Sequence, residues 1–439
     1  MSFRTGAAEA DIETSEAENL LWCIRPQLDF YRLRAPLSPA VLEKPLHTRI
    51  VSVPNHARYG STLVATETVN QYRAVERLIG SSAETVKLMN PRPELREGIV
   101  TTEAVQVAQR RLRSALADRA ADAVTASFEV QLQKLALALA LYRATDLSAY
   151  SGVVIATQHA PTLRTLIVAA NEQSVPVTYV PHAPVADNCA YLDLPTSYVG
   201  LRGRGEREFY ANSIGARPEL LDIVGNLATD VLARPLPATR AQAPGVLALS
   251  PDPPETLRRV FETLSGADLG SMIVAPHPRS NPDDIRELLP TGWSTYEGGR
   301  TLDLLAEGPP FVFQFSSGVA WESAALGIPT AEIRLGDEPV NYPFLADETV
   351  YPPVRNPEEA RAFAERARAG EVDRGRLRRH AEAWCESDGD SAAQRLGALL
   401  DRVAVEGGSD RPQRVHDGWS SGGAALARSW IAATEAAPA

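Results

Sequence analysis

The segment Phe311-Val312-Phe313-Gln314-Phe315-Ser316-Ser317-Gly318-Val319-Ala320-Trp321-Glu322-Ser323-Ala324-Ala325-Leu326-Gly327-Ile328-Pro329 constrains the fold more than any other. Aromatic and β-branched residues at 311–315 predict a short buried strand, and the helix formers at 319–326 predict one compact helix. Gly327 suits the left-handed position past a helix end, and Pro329 cannot continue the helix. The turn Ser316-Ser317-Gly318 therefore joins the end of a parallel strand to the start of a helix. Such a junction offers backbone N–H groups, two hydroxyls and the positive end of a helix dipole, which together suit a phosphate. Glu322 follows about one helical turn later, near enough to accept hydrogen bonds from a ribose. An ordinary strand–helix junction with serine caps has the same local pattern, because motifs this short recur by chance.

Upstream, Ser271-Met272-Ile273-Val274-Ala275 reads as a buried strand that ends at Pro276-His277-Pro278-Arg279. Asn281 is a good N-cap, with Pro282 at the first helical position and Asp283 and Asp284 in the first turn. His277 and Arg279 thus fall on the loop at the carboxyl end of a strand, the edge where open α/β sheets bind ligands. Imidazole can donate to phosphate oxygens, and a guanidinium adds a charged fork. A surface loop with a structural histidine is the alternative.

The pairing of His277-Pro278 with Ser316-Ser317 and with Glu322-Ser323-Ala324-Ala325-Leu326-Gly327-Ile328-Pro329 resembles the donor half of GT-B glycosyltransferases. Within that group the pattern is similar to bacterial sialyl- and polysialyltransferases, CDP-glycerol glycerophosphotransferases and UDP-N-acetylglucosamine 2-epimerases. The resemblance covers roughly 150–430. It implies that the His-Pro and Ser-Ser pairs hold the nucleotide phosphate, or that the Ser-Gly turn holds a diphosphate while the Glu holds ribose. The expected fold is α/β of GT-B type: two doubly wound Rossmann-like domains facing a central cleft, with a C-terminal helical segment.

A chain of 439 residues is too long for one ordinary core and suggests two domains. A formal charge of −11 argues against nucleic acid or an anionic membrane as the main partner. Cys23, Cys189 and Cys385 are scattered without metal spacing, which suits a reducing compartment. The polar, acidic stretch from Met1 to Glu18 is unlike a secretory leader, and no apolar run is long enough to span a bilayer. A cytoplasmic protein is expected.

Along the chain, residues 1–45 read as an extension, its first twenty residues disordered and one or two short helices following around Pro26. Residues 46–234 read as an acceptor-side domain and 235–244 as a Pro-rich linker. Residues 245–405 read as the donor domain and 406–439 as a tail, in which Trp419 to Ile431 can form a helix that crosses back to the first domain. Strands are predicted at 49–53, 152–156, 175–180, 197–201 and 220–224, then at 246–249, 272–275, 311–315 and 330–333. Helices are predicted between them, including one or two long ones over 101–144, one from Pro161 to Glu172 and one from Arg204 to Ile214, stopped by Gly215.

In the first domain His159 follows the strand at 152–156 and His182 follows that at 175–180, so both project from the carboxyl edge. The loop Pro181-His182-Ala183-Pro184 resembles the His-Gly loop of capsule-type and CDP-glycerol transferases, with Ala183 in place of glycine. His56, after the strand at 49–53, is a third candidate. Gly225-Asn226-Leu227-Ala228-Thr229-Asp230 resembles the epimerase-type Gly-Asn-Pro-x-x-Asp junction and predicts a hinge, with Asn226 in an Asx-type turn. No Gly-x-x-x-x-Gly-Lys-Ser/Thr is present. The run Gly200-Leu201-Arg202-Gly203-Arg204-Gly205 is wrongly spaced for a dinucleotide, and Gly418-Trp419-Ser420-Ser421-Gly422 lacks a preceding strand for a nucleophile elbow. Asp388-Gly389-Asp390 reads as a loop and not as a metal site.

The expectation is a metal-independent glycosyltransferase of surface-polysaccharide or natural-product biosynthesis, with no tightly bound cofactor. Its co-substrate is a CMP-, CDP- or UDP-linked sugar, and its acceptor is a small molecule or glycan. His277, Arg279, Ser316, Ser317, Gly318 and Glu322 form the donor site; His182 or His159 acts as base, and His277 stabilises the leaving group. A CDP-alcohol transferase, a UDP-sugar 2-epimerase and a non-catalytic GT-B-like partner protein are the alternatives, and a homodimer is compatible with each.

Overall fold

The computed structural model describes residues 15–28, 55–80, 84–86, 100, 102–116, 122–187, 191, 194–250, 252–277, 280–315, 317–336 and 342–407. The predicted strand at 49–53, the crossing helix after 406 and Cys189 lie outside them, as do Pro278, Arg279 and Ser316.

The first domain contains β1 (Asn55–Tyr59), β2 (Thr62–Thr66), β3 (Glu84–Thr85), β4 (Gly152–Ile155), β5 (Val177–Tyr179), β6 (Tyr198–Leu201) and β7 (Leu221–Ile223) in the sheet order β3-β1-β2-β4-β5-β6-β7. From β2 to β7 neighbours are parallel, while β1 pairs antiparallel with β2 and β3. Its helices are α1 (15–28), α2 (Val69–Ile79), α3 (Thr102–Leu116), α4 (Asp122–Ala144), α5 (Pro161–Glu172) and α6 (Arg204–Ile214). Alternating strand residues serve opposite faces. Leu63, Ala65, Val153 and Ile155 pack against residues of α1, α3, α4 and α5, whereas Val64 and Val154 face the other way.

One expectation fails here. Residues 15–20 are not disordered: they begin α1, whose Leu20, Leu21, Trp22, Cys23 and Ile24 are fully buried. Pro26 lies within this one helix, as one of the two expected arrangements has it. Proline removes the N–H that would have bonded the carbonyl of Trp22. The buried Arg164 supplies the missing donor, with Nη1 at 3.0 Å from Trp22 O and the guanidinium stacked 4.2 Å from the indole centroid. His56 also departs from expectation, because it lies within β1, paired with Ala65, and not in a loop. It is buried against the Tyr142 hydroxyl at 3.1 Å, and burial lowers its pKa to about 4.

The second domain contains β8 (Gly245–Ala248), β9 (Met272–Ala275), β10 (Trp293–Thr295), β11 (Val312–Gln314), β12 (Thr330–Ile333) and β13 (Pro353–Val354), all parallel, in the order β10-β9-β8-β11-β12-β13. Counted from its own first strand this is 3-2-1-4-5-6, the doubly wound order whose direction reverses between β8 and β11. Its helices are α7 (Pro254–Ser265), α8 (Pro282–Arg286), α9 (Thr301–Ala306), α10 (Val319–Ala325), α11 (Pro357–Arg368) and α12 (Arg374–Trp384). Val246 and Val312 join one core, and Leu247, Phe311 and Phe313 the other.

The last described helix, α13 (Gly389–Glu406), returns to the first domain. Its Leu396, Leu399, Leu400 and Val403 cover Val64, Val154, Val180, Tyr198 and Val224, the face of the first sheet that α2 leaves open. Two strands of chain pass between the domains side by side: Asn226 N donates to Ser387 O and Gly389 N to Asn226 O, each at 3.0 Å. Gly225 sits at φ +106°, and a Cβ there would overlap Ser387. Asn226 Oδ1 accepts from Ala228 N at 3.0 Å, the expected Asx turn.

The Pro-rich stretch is not a free linker. Arg374 Nη2 donates to Pro237 O at 2.5 Å, Arg378 Nη1 to Arg234 O at 3.0 Å, and Arg240 N to Gly308 O at 3.0 Å, strapping 234–240 onto the second domain. The glycine-rich run at 200–205 has its explanation at the domain interface. A Cβ on Gly203 would stand 2.5 Å from the backbone of Trp384, and one on Gly205 would stand 2.6 Å from its indole. Gly203→Val is therefore expected to cost roughly 1–3 kcal/mol by overpacking. It would be read as a fall of several degrees in Tm, and an unchanged melt would show that the interface yields.

Candidate functional site

The carboxyl edges of the two parallel sheets meet. A methyl group placed on Gly318, in the turn after β11, would lie 3.7 Å from Pro184 in the loop after β5. Arg202, directly after β6, stacks its guanidinium 4.8 Å above the ring of Trp321 in α10. The loop after β5 and the turn before α10 therefore come together.

On the first domain, His182 is half-buried and its Nδ1 lies 2.7 Å from Ala156 O. A carbonyl oxygen only accepts, so Nδ1 carries the proton and Nε2 keeps the lone pair. Burial lowers the pKa of this ring, opposed by the bond to Ala156. Ala183 has no positive φ, so the missing glycine leaves no strain in the loop. His159 lies 6.5 Å from His182, centroid to centroid, and 5.3 Å from Tyr191. Its Nδ1 is 3.1 Å from the Thr157 hydroxyl. Burial, with His182 and Arg164 nearby, pushes its pKa down to about 3, so it is a poor proton acceptor.

The residue that holds this edge together, Glu206, was missed. It lies in the first turn of α6 and is 1% exposed. Its carboxylate accepts from Arg202 N at 2.9 Å and from Val185 N at 3.1 Å, tying the end of β6 to the His182 loop. Burial pushes its pKa up, opposed by Arg202 and by these two amides. An acidic residue in the first turn of a helix that follows a strand was the available signal.

On the second domain the donor turn is more committed than expected. Ser317 N donates to Gln314 Oε1 at 2.7 Å, and the Gln314 amide in turn donates to Glu332. The Ser317 hydroxyl accepts from Val319 N at 3.3 Å. One of the predicted phosphate donors is thus occupied within the turn, and α10 is only seven residues long. Ser250, after β8, donates its hydroxyl to Phe315 O at 3.0 Å and bridges the point where strand order reverses. His277 is half-buried beyond β9, where its carbonyl accepts from Ser280 N at 2.8 Å. Asn281 caps α8 as predicted, accepting from Asp283 N at 3.3 Å.

Burial pushes the Glu322 carboxyl up, opposed by Arg300, Arg202 and Arg234. These three arginines come from the second domain, the first domain and the segment between them. The sequence reading did not find them, because nothing local distinguishes an arginine that converges through tertiary structure. Among the described residues, no group of His, Cys, Asp and Glu is arranged to hold a metal ion, and no helix is long and apolar enough to cross a membrane. Cys23 and Cys385 are buried.

No family model matches the sequence, and the search of curated proteins finds no match. Solved structures to which the chain is similar include the UDP-GlcNAc 2-epimerase of Methanocaldococcus jannaschii in complex with UDP-GlcNAc and UDP, at 17% identity and TM-score 0.41, covering 61% of this chain and 81% of that one. A putative UDP-N-acetylglucosamine 2-epimerase from Listeria monocytogenes aligns at 13% identity and TM-score 0.43, covering 75% and 84%. The calicheamicin glycosyltransferase CalG4 aligns at 17% identity and TM-score 0.41, covering 65% and 89%.

Proposed function

We propose that this chain is a sugar-nucleotide enzyme of GT-B architecture, a glycosyltransferase that needs no metal and passes a sugar to a hydroxyl acceptor during polysaccharide or natural-product assembly. The observation that carries the reading is the meeting of the two carboxyl edges, with the His182 loop packed on the turn before α10. The donor's phosphate would be held by His277, Arg279, Ser316, Ser317 and Gly318, and its ribose by Glu322. Charge that grows on the departing nucleotide is what such a site stabilises most. His182, with its Nε2 lone pair, would accept a hydrogen bond from the acceptor and orient it against the donor.

A panel of CMP-, CDP-, UDP-, GDP- and TDP-sugars tests this by thermal shift and by product analysis. A nucleotide at one hundred times its Kd stabilises the fold by about 2.7 kcal/mol, a shift of a few degrees. We expect one base to give that shift and His277→Ala to lower turnover far more than it raises the donor KM, because leaving-group charge grows from the ground state to the transition state. A rise in KM alone would make His277 a ground-state contact. Interconversion of a UDP-sugar without an acceptor would favour a 2-epimerase, and polyol-phosphate transfer from a CDP-alcohol the corresponding transferase. No shift with any donor would favour the partner-protein reading.

A further inference from the structure

The acceptor hydroxyl must lose a proton as it attacks, and the carboxyl edge of the first sheet carries a carboxylate that the sequence reading passed over. Glu67 follows β2 immediately. Ala65 of β2 pairs with Ile155 of β4, and Ile155 pairs with Tyr179 of β5, so the residues just beyond these three strands share one edge. They include Glu67, His159 and His182. Glu67 bonds to the hydroxyl of Thr162, which lies in the first turn of α5, three residues after His159. Its backbone is held as well: Glu67 N donates to Gln71 Oε1 at 2.7 Å, while the Thr68 hydroxyl caps α2 by accepting from Gln71 N at 3.2 Å. The side chain is half-buried, at the carboxyl end of β2.

We propose that Glu67 is the general base that takes the acceptor proton, in a reaction where His182 orients the acceptor. This rests on the functional reading above. In the step, the acceptor O–H bond breaks and its proton passes to a Glu67 carboxylate oxygen. The freed electron pair forms the new bond to the anomeric carbon, and the bond from that carbon to the phosphate oxygen breaks, leaving its electrons on the nucleotide.

The surroundings suit that task. The groups near the Glu67 carboxyl are the Thr162 hydroxyl of α5 and the Tyr142 phenol of α4, with His56 of β1 bonded to that phenol, while the Gln71 amide of α2 holds the Glu67 backbone. Arg164 of α5 is turned to Trp22 O and Gln158 O, and His159 stays neutral. Among the described residues no ion pair reaches Glu67. Burial raises its pKa to about 7, with the Thr162 bond opposing. A base is most effective when its pKa lies near the working pH, a condition that His159 does not meet.

The test uses the full chain and Glu67→Gln, which keeps shape and loses basicity, with Glu67→Asp as the conservative control. With the sugar nucleotide that the panel selects, kcat/KM of the unaltered protein should rise with pH through about 7. Glu67→Gln should lose 10²–10⁴-fold in kcat, on the scale of general base catalysis, and lose that limb. Glu67→Asp should restore part of both. Stability gives an independent reading. A carboxyl whose folded pKa is raised binds its proton more tightly in the native state, so its charge destabilises as pH rises from about 4.5 through about 7. Glu67→Gln should therefore raise Tm at pH 8 relative to the unaltered protein and leave it little changed at pH 4. Normal turnover with an intact limb in Glu67→Gln overturns the assignment while leaving the transferase reading standing. Absence of turnover in the unaltered protein across the whole panel overturns both.

Discussion

Ending the chain after Ser387 is expected to unfold the first domain, although every strand of its sheet precedes that point. Leu396, Leu399, Leu400 and Val403 of α13 bury against Val64, Val154, Val180, Tyr198 and Val224. At about 1.5–3 kcal/mol for each buried side chain, the four contribute roughly 6–12 kcal/mol. That is comparable with the whole stability of an ordinary domain. The exposed sheet face would also invite aggregation. Circular dichroism and urea melts of 1–387 should show lost cooperativity relative to the full chain. Within the intact chain, Leu400→Ala should cost about 2–5 kcal/mol. If 1–387 keeps the full Tm, the covering role of α13 is wrong.

His182→Ala is expected to lower kcat/KM for the acceptor by about 10²-fold, the scale of a reactant misplaced by about an ångström. Nucleotide Kd should change little, because the residues proposed to hold the donor lie on the other domain. Loss of the Nδ1 bond to Ala156 should cost stability only about 1 kcal/mol. The split between an unmoved nucleotide Kd and a collapsed rate is what a structural histidine would not produce. Equal loss of nucleotide binding and rate would instead place His182 in the donor site, and no loss of either would leave it a purely structural role.

Local features were legible where local chemistry decides them. Pro161 opens α5, which ends at Glu172, and Gly215 stops α6. The central strands of both sheets fall within a residue or two of their predicted bounds, because continuous apolar runs have few other uses. Gly327 has φ +64°, as its place after a helix requires. The hairpin of β1 and β2 was missed, and with it the placing of His56, since Ala57-Arg58-Tyr59 lacks a clean alternation. The return of α13 to the first sheet was invisible because amphipathic helices do not declare which core they serve. Arg202, Arg234 and Arg300 act on Glu322, and Glu206 on Val185, across stretches of chain that only folding brings together.

The paired crossing at Asn226 and Asp388 has a consequence for how this architecture is assembled. Both attachment points belong to the first domain and are bridged to each other. Residues 227–387 therefore form a cassette whose two ends already touch, inserted in a host that is discontinuous in sequence. Adjacent ends are the condition under which a domain can be inserted with little strain on its host. A graft that exchanges donor specificity should thus be cut at these two points together, with α13 left behind. A single cut at the Pro-rich strap would separate the host from the helix that completes it.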